Sequence, residues 1–166
     1  MEGVQMAVKK ILKLGDQNLY TKAKIVSKME WAMLKHIIED LHDTMMDFRN
    51  KYHVGRAIAA PQIGVMKRII YLNIGKPEVL INPILTFPDD EMMEIWDDCM
   101  SFPNLLVKVK RFKRCILQYE DIEEKQQVMQ LEGDLSELIQ HEYDHLNGIL
   151  AVDRAIDNRS FALKDG

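Results

Sequence analysis

Ile139-Gln140-His141-Glu142-Tyr143-Asp144-His145-Leu146 is the stretch from which the rest of the chain is read. It contains His-Glu-x-x-His, with the two imidazoles four residues apart. On an α-helix that spacing puts both on one face, a turn apart, where they can grip one metal ion. Glu142 follows the first histidine directly, so its carboxylate lies beside the open coordination position. There it can take a proton from water and pass it to a leaving group. The bland alternative is a polar helix that carries two histidines by chance. Around the motif, Leu135, Leu138, Ile139, Tyr143, Leu146, Ile149 and Leu150 recur at helical spacing between Gly133 and Gly148. That pattern describes a packed helix between loops rather than a solvated one.

Working outward, the chain has 166 residues, 47% of them hydrophobic and 29% charged, enough for one globular domain spanning 1–166. A formal net charge of −4 argues against a general nucleic-acid binder, so no DNA partner is expected. No apolar run approaches a membrane span, and the first residues lack a signal peptide's apolar core. Two cysteines, Cys99 and Cys115, do not make a disulfide framework. A cytoplasmic protein with reduced thiols is expected, with no membrane partner.

Residues 1–29 are mixed, with a short apolar segment at Ile11–Leu14. From Glu30 to Arg49, apolar residues at three- and four-residue intervals (Met33, Leu34, Ile37, Ile38, Leu41, Met45, Phe48) predict an amphipathic helix. Its histidines, His36 and His42, are six apart and do not share a face. They read as surface or boundary residues, as does His53. The segment Gly55–Gly64 crowds small residues into a loop, and Arg68–Leu72 and Val79–Ile81 predict short buried strands joined by a turn at Gly75–Pro77. Pro83 is expected to end the second strand. Val107–Tyr119 alternates charged and apolar residues, which predicts a half-exposed strand or hairpin whose basic face is solvated. Cys115 lies in its apolar row and reads as core packing. Asp121–Lys125 is a polar turn, and Val128–Leu131 leads back to the histidine helix.

Two histidines need a third ligand. In the commonest zinc-peptidase pattern it lies downstream, but only Asp153, Asp157 and Asp165 follow His145 in that short tail. Upstream, Cys99 sits in a punctuated segment between Trp96 and Pro103. With His141 and His145 a thiolate there would leave one position open for water. A buried, inert thiol is the competing reading.

Taken together, three segments resemble the peptide deformylase family. Gly55-Arg56-Ala57-Ile58-Ala59-Ala60-Pro61-Gln62 is similar to its Gly-x-Gly-x-Ala-Ala-x-Gln motif, Asp97-Asp98-Cys99-Met100-Ser101 to Glu-Gly-Cys-x-Ser, and Gln140–His145 to Gln-His-Glu-x-Asp-His. Order and approximate spacing agree. The resemblance implies an α+β single domain with mixed or antiparallel sheets packed around a central metal-binding helix. It implies one divalent ion, Fe2+ natively with Zn2+, Ni2+ or Co2+ as substitutes, held by Cys99, His141 and His145. Glu142 would be the general base and acid, while the Gln62 amide and the Met100 N–H would receive the oxyanion. Arg111 would pair with Asp97, and Asp144 would fix the helix or a ligand histidine. Gly55, Arg56, Ala57, Asp98, Asp134, Glu137 and Leu138 would line the substrate site. The partner would be a formylated peptide or small formamide, with transient ribosome association.

The chain departs from the family on the substrate side. Ala57 stands for a glycine, Arg56 for an apolar residue and Asp98 for the glycine before the cysteine. Asp134 and Glu137 fall where the family has apolar residues. Unpaired buried charge costs several kcal/mol, so these residues either polarise the pocket or pair with each other, Arg56 with Glu137 for example. Three readings follow: a formyl-methionine deformylase, a related amidohydrolase with a polar or charged formylated substrate, or a non-catalytic metal-binding homologue. The presence of Gln62 and Glu142 counts against the third, because a structural metal needs neither.

Overall fold

A computed structural model describes residues 7–164 of the chain; residues 1–6 and 165–166, including Asp165, lie outside it. A 3-10 turn at Lys28–Met33 leads into helix α1 (Leu34–Tyr52), followed by β1 (Ala57–Ala59), β2 (Ile69–Asn73), β3 (Pro77–Thr86) and β4 (Met92–Asp97). Then come β5 (Leu105–Phe112), β6 (Arg114–Glu120), β7 (Gln126–Glu132), helix α2 (Asp134–Leu146) and β8 (Phe161–Leu163). The strands form a five-stranded sheet in the order β1-β2-β3-β6-β7 and a three-stranded sheet in the order β4-β5-β8. Every neighbouring pair is antiparallel. This is the α+β class the sequence implied.

The helix expected at Glu30–Arg49 begins as the 3-10 turn, where Glu30 accepts from the Ser27 N–H, and continues to Tyr52. It stops where His53 adopts a left-handed conformation. The apolar stripe of α1 (Leu34, Leu41, Met45, Phe48) packs on Ile58, Ile69, Tyr71 and Ile81 of the larger sheet. His42 is a boundary residue, its Nδ1 sharing a hydrogen bond with the Tyr71 hydroxyl.

Two expectations about strands are corrected. Pro83 does not end β3, which continues to Thr86 across an irregularity between Ile81 and Ile84. Asn82, at φ 51°, carries the bulge and ties its amide to both backbone groups of Val26. A proline is accepted in a strand where a bulge already interrupts the ladder. Nor is Val107–Tyr119 one strand or a hairpin. It divides at Lys113 into β5 and β6, which belong to different sheets. The alternation falters there, at Arg111-Phe112-Lys113-Arg114, but a break in period does not say that the two halves join different sheets. The backbone there is satisfied by α2: Phe112 N–H donates to Gln140 Oε1, and Gln140 Nε2 donates to Phe112 C=O.

Helix α2 lies between the sheets. Ile139 and Leu146 join Ala59, Ile70, Leu80, Leu117, Leu131 and Cys115 in a core cluster, so Cys115 packs as expected. From Ser136 to Glu142 every residue of α2 is buried. Its polar face is therefore inside the protein, where each polar group needs a partner or a ligand. Gly148 closes the helix at φ +73°, and a Cβ there would meet Tyr20 O at 2.5 Å.

Candidate active site

The i,i+4 spacing on α2 sets His141 and His145 side by side, their ring centroids 5.1 Å apart. Cys99, on the loop after β4, brings its Sγ to 3.3 Å from His145 Nε2. Each of the three buried residues offers a donor atom, and these atoms lie within 4.8 Å of one another. Zinc-like bonds of about 2.3 Å to sulfur and about 2.0 Å to nitrogen, at a tetrahedral angle, would separate S and N by about 3.5 Å. The cluster fits a metal on that ground. It also fits on a second: Glu142 Oε1 is buried beside it with no hydrogen-bond partner.

The residues behind the donors orient them. Donors converge on Cys99 Sγ from Gln62 Nε2 at 3.6 Å and Ser101 N at 3.5 Å, an arrangement suited to a thiolate. His141 Nδ1 bonds Asp97 Oδ2 at 2.8 Å, which leaves Nε2 as the ligating atom. Asp97 also takes Arg111 Nη2 at 2.8 Å, and Arg111 Nη1 reaches Asp144 at 2.7 Å. Arg154 closes the chain on the outer side of Asp144. Asp144 therefore acts on Arg111 and Arg154, not directly on a ligand histidine. Arg111 itself is 2% exposed.

Burial and charge set the protonation of these groups. Burial opposes ionisation of Asp97, but His141 and Arg111 override it and hold the carboxyl well below the usual carboxylate range. For His141 burial again works the other way, while Asp97 and Cys99 lift it above an ordinary imidazole. Burial, reinforced by His141, keeps His145 neutral, the form a metal needs. Glu142 is pushed up to about 7, first by burial and then by Asp97. Burial and Asp97 likewise push Glu137 up to about 8.

A cleft of about 790 Å³ opens onto this cluster. Gly55, Arg56, Ala57, Gln62, Asp97, Asp98, Cys99, Met100, Glu137, Leu138, His141 and Glu142 all line it. His145, Arg111 and Asp144 stand behind the wall. Asp134 does not line the cleft: its side chain is 76% exposed, and it pairs with Arg56 at the rim. The Gln62 amide is fixed in orientation, its Oε1 accepting from Ala59 N and its Nε2 donating to Ser101 Oγ. Ser101, Gln140, Arg154 and Lys164 also serve the site, although none is among the residues expected there from sequence. Ser101 and Gln140 lay inside the quoted motifs and could have been found there. Lys164, which pairs with Asp98 at 2.7 Å and lines the cleft, carries no local signal.

A buried Cys–His–His cluster with an unpaired carboxylate at the end of a cleft defines a metal-dependent hydrolase. The model of the family described as polypeptide deformylase matches residues 8–161. Peptide deformylase 1 of Prochlorococcus marinus is 36% identical over 170 residues, covering 94% of this chain and 85% of that protein. The crystal structure of peptide deformylase from Thermotoga maritima superposes with a TM-score of 0.82 at 34% identity, over 90% of this chain and 99% of that one. A Met-Ala-Ser-bound class I type b peptide deformylase from Acinetobacter baumannii gives 0.80 at 29% identity, over 89% and 98%. The chain belongs to the polypeptide deformylase family, and its reaction class is hydrolysis of C–N bonds other than peptide bonds.

Proposed function

We propose that this protein, as one deformylase domain over 1–166, removes the formyl group from the N-terminal methionine of newly made peptides. The observation that carries the reading is Glu142: a buried carboxylate with an unpaired oxygen, one residue from His141 and facing the same cleft as Cys99. Cys99, His141 and His145 would hold one divalent ion, Fe2+ natively, with Zn2+, Ni2+ or Co2+ able to take its place. When bound, the ion supplies Lewis acidity, polarising the formyl carbonyl and acidifying water.

The remaining work falls to side chains. Glu142, with a pKa near 7, takes a proton from the attacking water as oxygen bonds to the formyl carbon. The developing oxyanion is received by the Met100 N–H and by the Gln62 amide, which gives up its long 3.6 Å contact to Cys99 Sγ to do so. Glu142 then returns the proton to the departing nitrogen, the C–N bond breaks, and formate and a free amine leave. Asp97 holds the His141 tautomer throughout, and Arg111 holds Asp97. The Met-Ala-Ser tripeptide bound by the Acinetobacter relative is the kind of product this reaction would release. Among the described residues no helix is long and apolar enough to cross a membrane. Cytoplasmic location and transient contact with the ribosome suit a substrate that is a nascent chain.

Formate release from formyl-Met-Ala-Ser by the iron-loaded protein tests the reading. Glu142→Gln should keep the metal and lose about 10²–10⁴-fold in kcat. Parental turnover in that variant would remove Glu142 from the proton transfer, and no formate from the wild type would refute the function.

A further inference from the structure

The two oxyanion donors stand on parts of the molecule that no strand ladder joins. Gln62 lies in the 3-10 turn after β1 of the five-stranded sheet, whereas Met100 lies on the loop after β4 of the three-stranded one. Their separation therefore needs another brace, since a misplacement of about 1 Å can cost about 10²-fold in rate. The short apolar segment Ile11–Leu14 supplies part of it. Leu12 N–H donates to Gln62 C=O at 2.8 Å and Leu14 N–H to Ser101 C=O at 2.9 Å, while Ile11 packs in one cluster with Ala60 and Met100. Ser101 stands where the two loops meet. It is 1% exposed and does not line the cleft, so its hydroxyl does not reach substrate. Among the described residues the side-chain partner of that hydroxyl is the Gln62 amide, whose Nε2 donates to Oγ at 3.2 Å.

We propose that Ser101 is a positioning residue for the oxyanion donors: its hydroxyl holds one Nε2 hydrogen of Gln62, which fixes the amide plane and directs the other hydrogen at the reacting oxygen. The proposal rests on the deformylase reading and adds to it a residue that acts only through another. A glutamine amide offers one oxygen and two N–H hydrogens. Here Oε1 accepts from Ala59 N at 2.9 Å, one Nε2 hydrogen goes to Ser101 Oγ, and the second faces the metal-ligand cluster, 3.6 Å from Cys99 Sγ. The acceptor is itself held still, because the Ser101 N–H donates to Cys99 Sγ at 3.5 Å and its C=O is tied to Leu14. Without the hydroxyl, Ala59 still holds the amide oxygen, but the NH2 group loses its anchor in the wall and turns more freely. An oxyanion donor is effective when it is in place before charge develops, so that freedom is lost rate.

The test is a double-mutant cycle on formate release from formyl-Met-Ala-Ser, with kcat and KM measured separately in the metal-loaded wild type, Ser101→Ala, Gln62→Leu and the double variant. Metal content and the spectrum of the cobalt-substituted proteins accompany it. Ser101→Ala should lower kcat about tenfold, the weight of one buried hydrogen bond, at unchanged KM, because the oxyanion bond forms only in the transition state. It should keep one equivalent of metal and an unchanged cobalt spectrum. In the double variant the further loss should vanish, leaving kcat within about twofold of Gln62→Leu alone. A loss that persists without Gln62 assigns Ser101 to general packing, and a loss that comes with lost metal assigns it to Cys99. Either overturns the proposal, as does parental kcat in Ser101→Ala, and each leaves the deformylase reading standing. No formate from the wild type overturns both.

Discussion

Replacing Arg111 with methionine should be the most damaging change outside the cluster itself. Arg111 is a 2%-exposed guanidinium between two carboxylates, 2.8 Å from Asp97 and 2.7 Å from Asp144. Methionine fills much of its volume but leaves both acids facing a gap. Asp144 keeps Arg154, a 43%-exposed partner, whereas Asp97 keeps only His141. Breaking a buried pair by removing one side costs about 3–5 kcal/mol, because a charge remains uncompensated. For a domain of this size that is a fall in Tm of about 6–20 °C. The assay is thermal unfolding of metal-stripped protein, with Arg154→Ala as the exposed control, expected within about 1 kcal/mol of wild type. An added Asp97→Asn should recover part of the loss, since it removes the stranded charge. If Arg111→Met melts within about 2–4 °C of wild type, the buried ion chain is not what holds His141 in place.

Other consequences can be checked in the same preparations. Gln62→Leu should lose about 10²–10³-fold in kcat while retaining its metal, because one oxyanion donor is gone; unchanged kcat would show that the amide does not face the reacting oxygen. Gly148→Ala should destabilise by at least about 2 kcal/mol: the left-handed backbone alone costs about 1–2, and the new Cβ would meet Tyr20 O at 2.5 Å. Gly75→Ala, at φ +91° with nothing within 4 Å, isolates the conformational part and should cost less in the same denaturant titration.

What could be read in the sequence followed the range of the signal. His141 and His145 are legible because helical spacing places them with no other knowledge, and α1 because its stripe runs for several turns. Cys99 is different: the lack of a downstream ligand points to it, inert burial competes, and its place among three motifs in order decides between them. The corner at Lys113 is hidden because the break in alternation at Arg111–Arg114 does not say which sheet each half joins, and the partner that makes the corner tolerable, Gln140, lies 28 residues away from Phe112. Arg56 and Glu137 could be paired in thought from their charges, but not the competing attraction of Asp134, which depends on how β1 faces α2. Lys164 sits 66 residues from Asp98, and its position at the cleft follows only from β8 pairing with β5. Local periodicity reports elements, whereas ion pairs across a cleft are a property of the assembled chain.

The central claim is that Cys99 completes a three-residue metal site with His141 and His145, and the most direct measurement is the absorption spectrum and stoichiometry of the cobalt-substituted protein. The wild type should bind one equivalent of Co2+ with a thiolate-to-metal charge-transfer band, and that band should be lost in Cys99→Ser with Cys115 intact. One equivalent bound without the band, or a band that survives in Cys99→Ser, would contradict it.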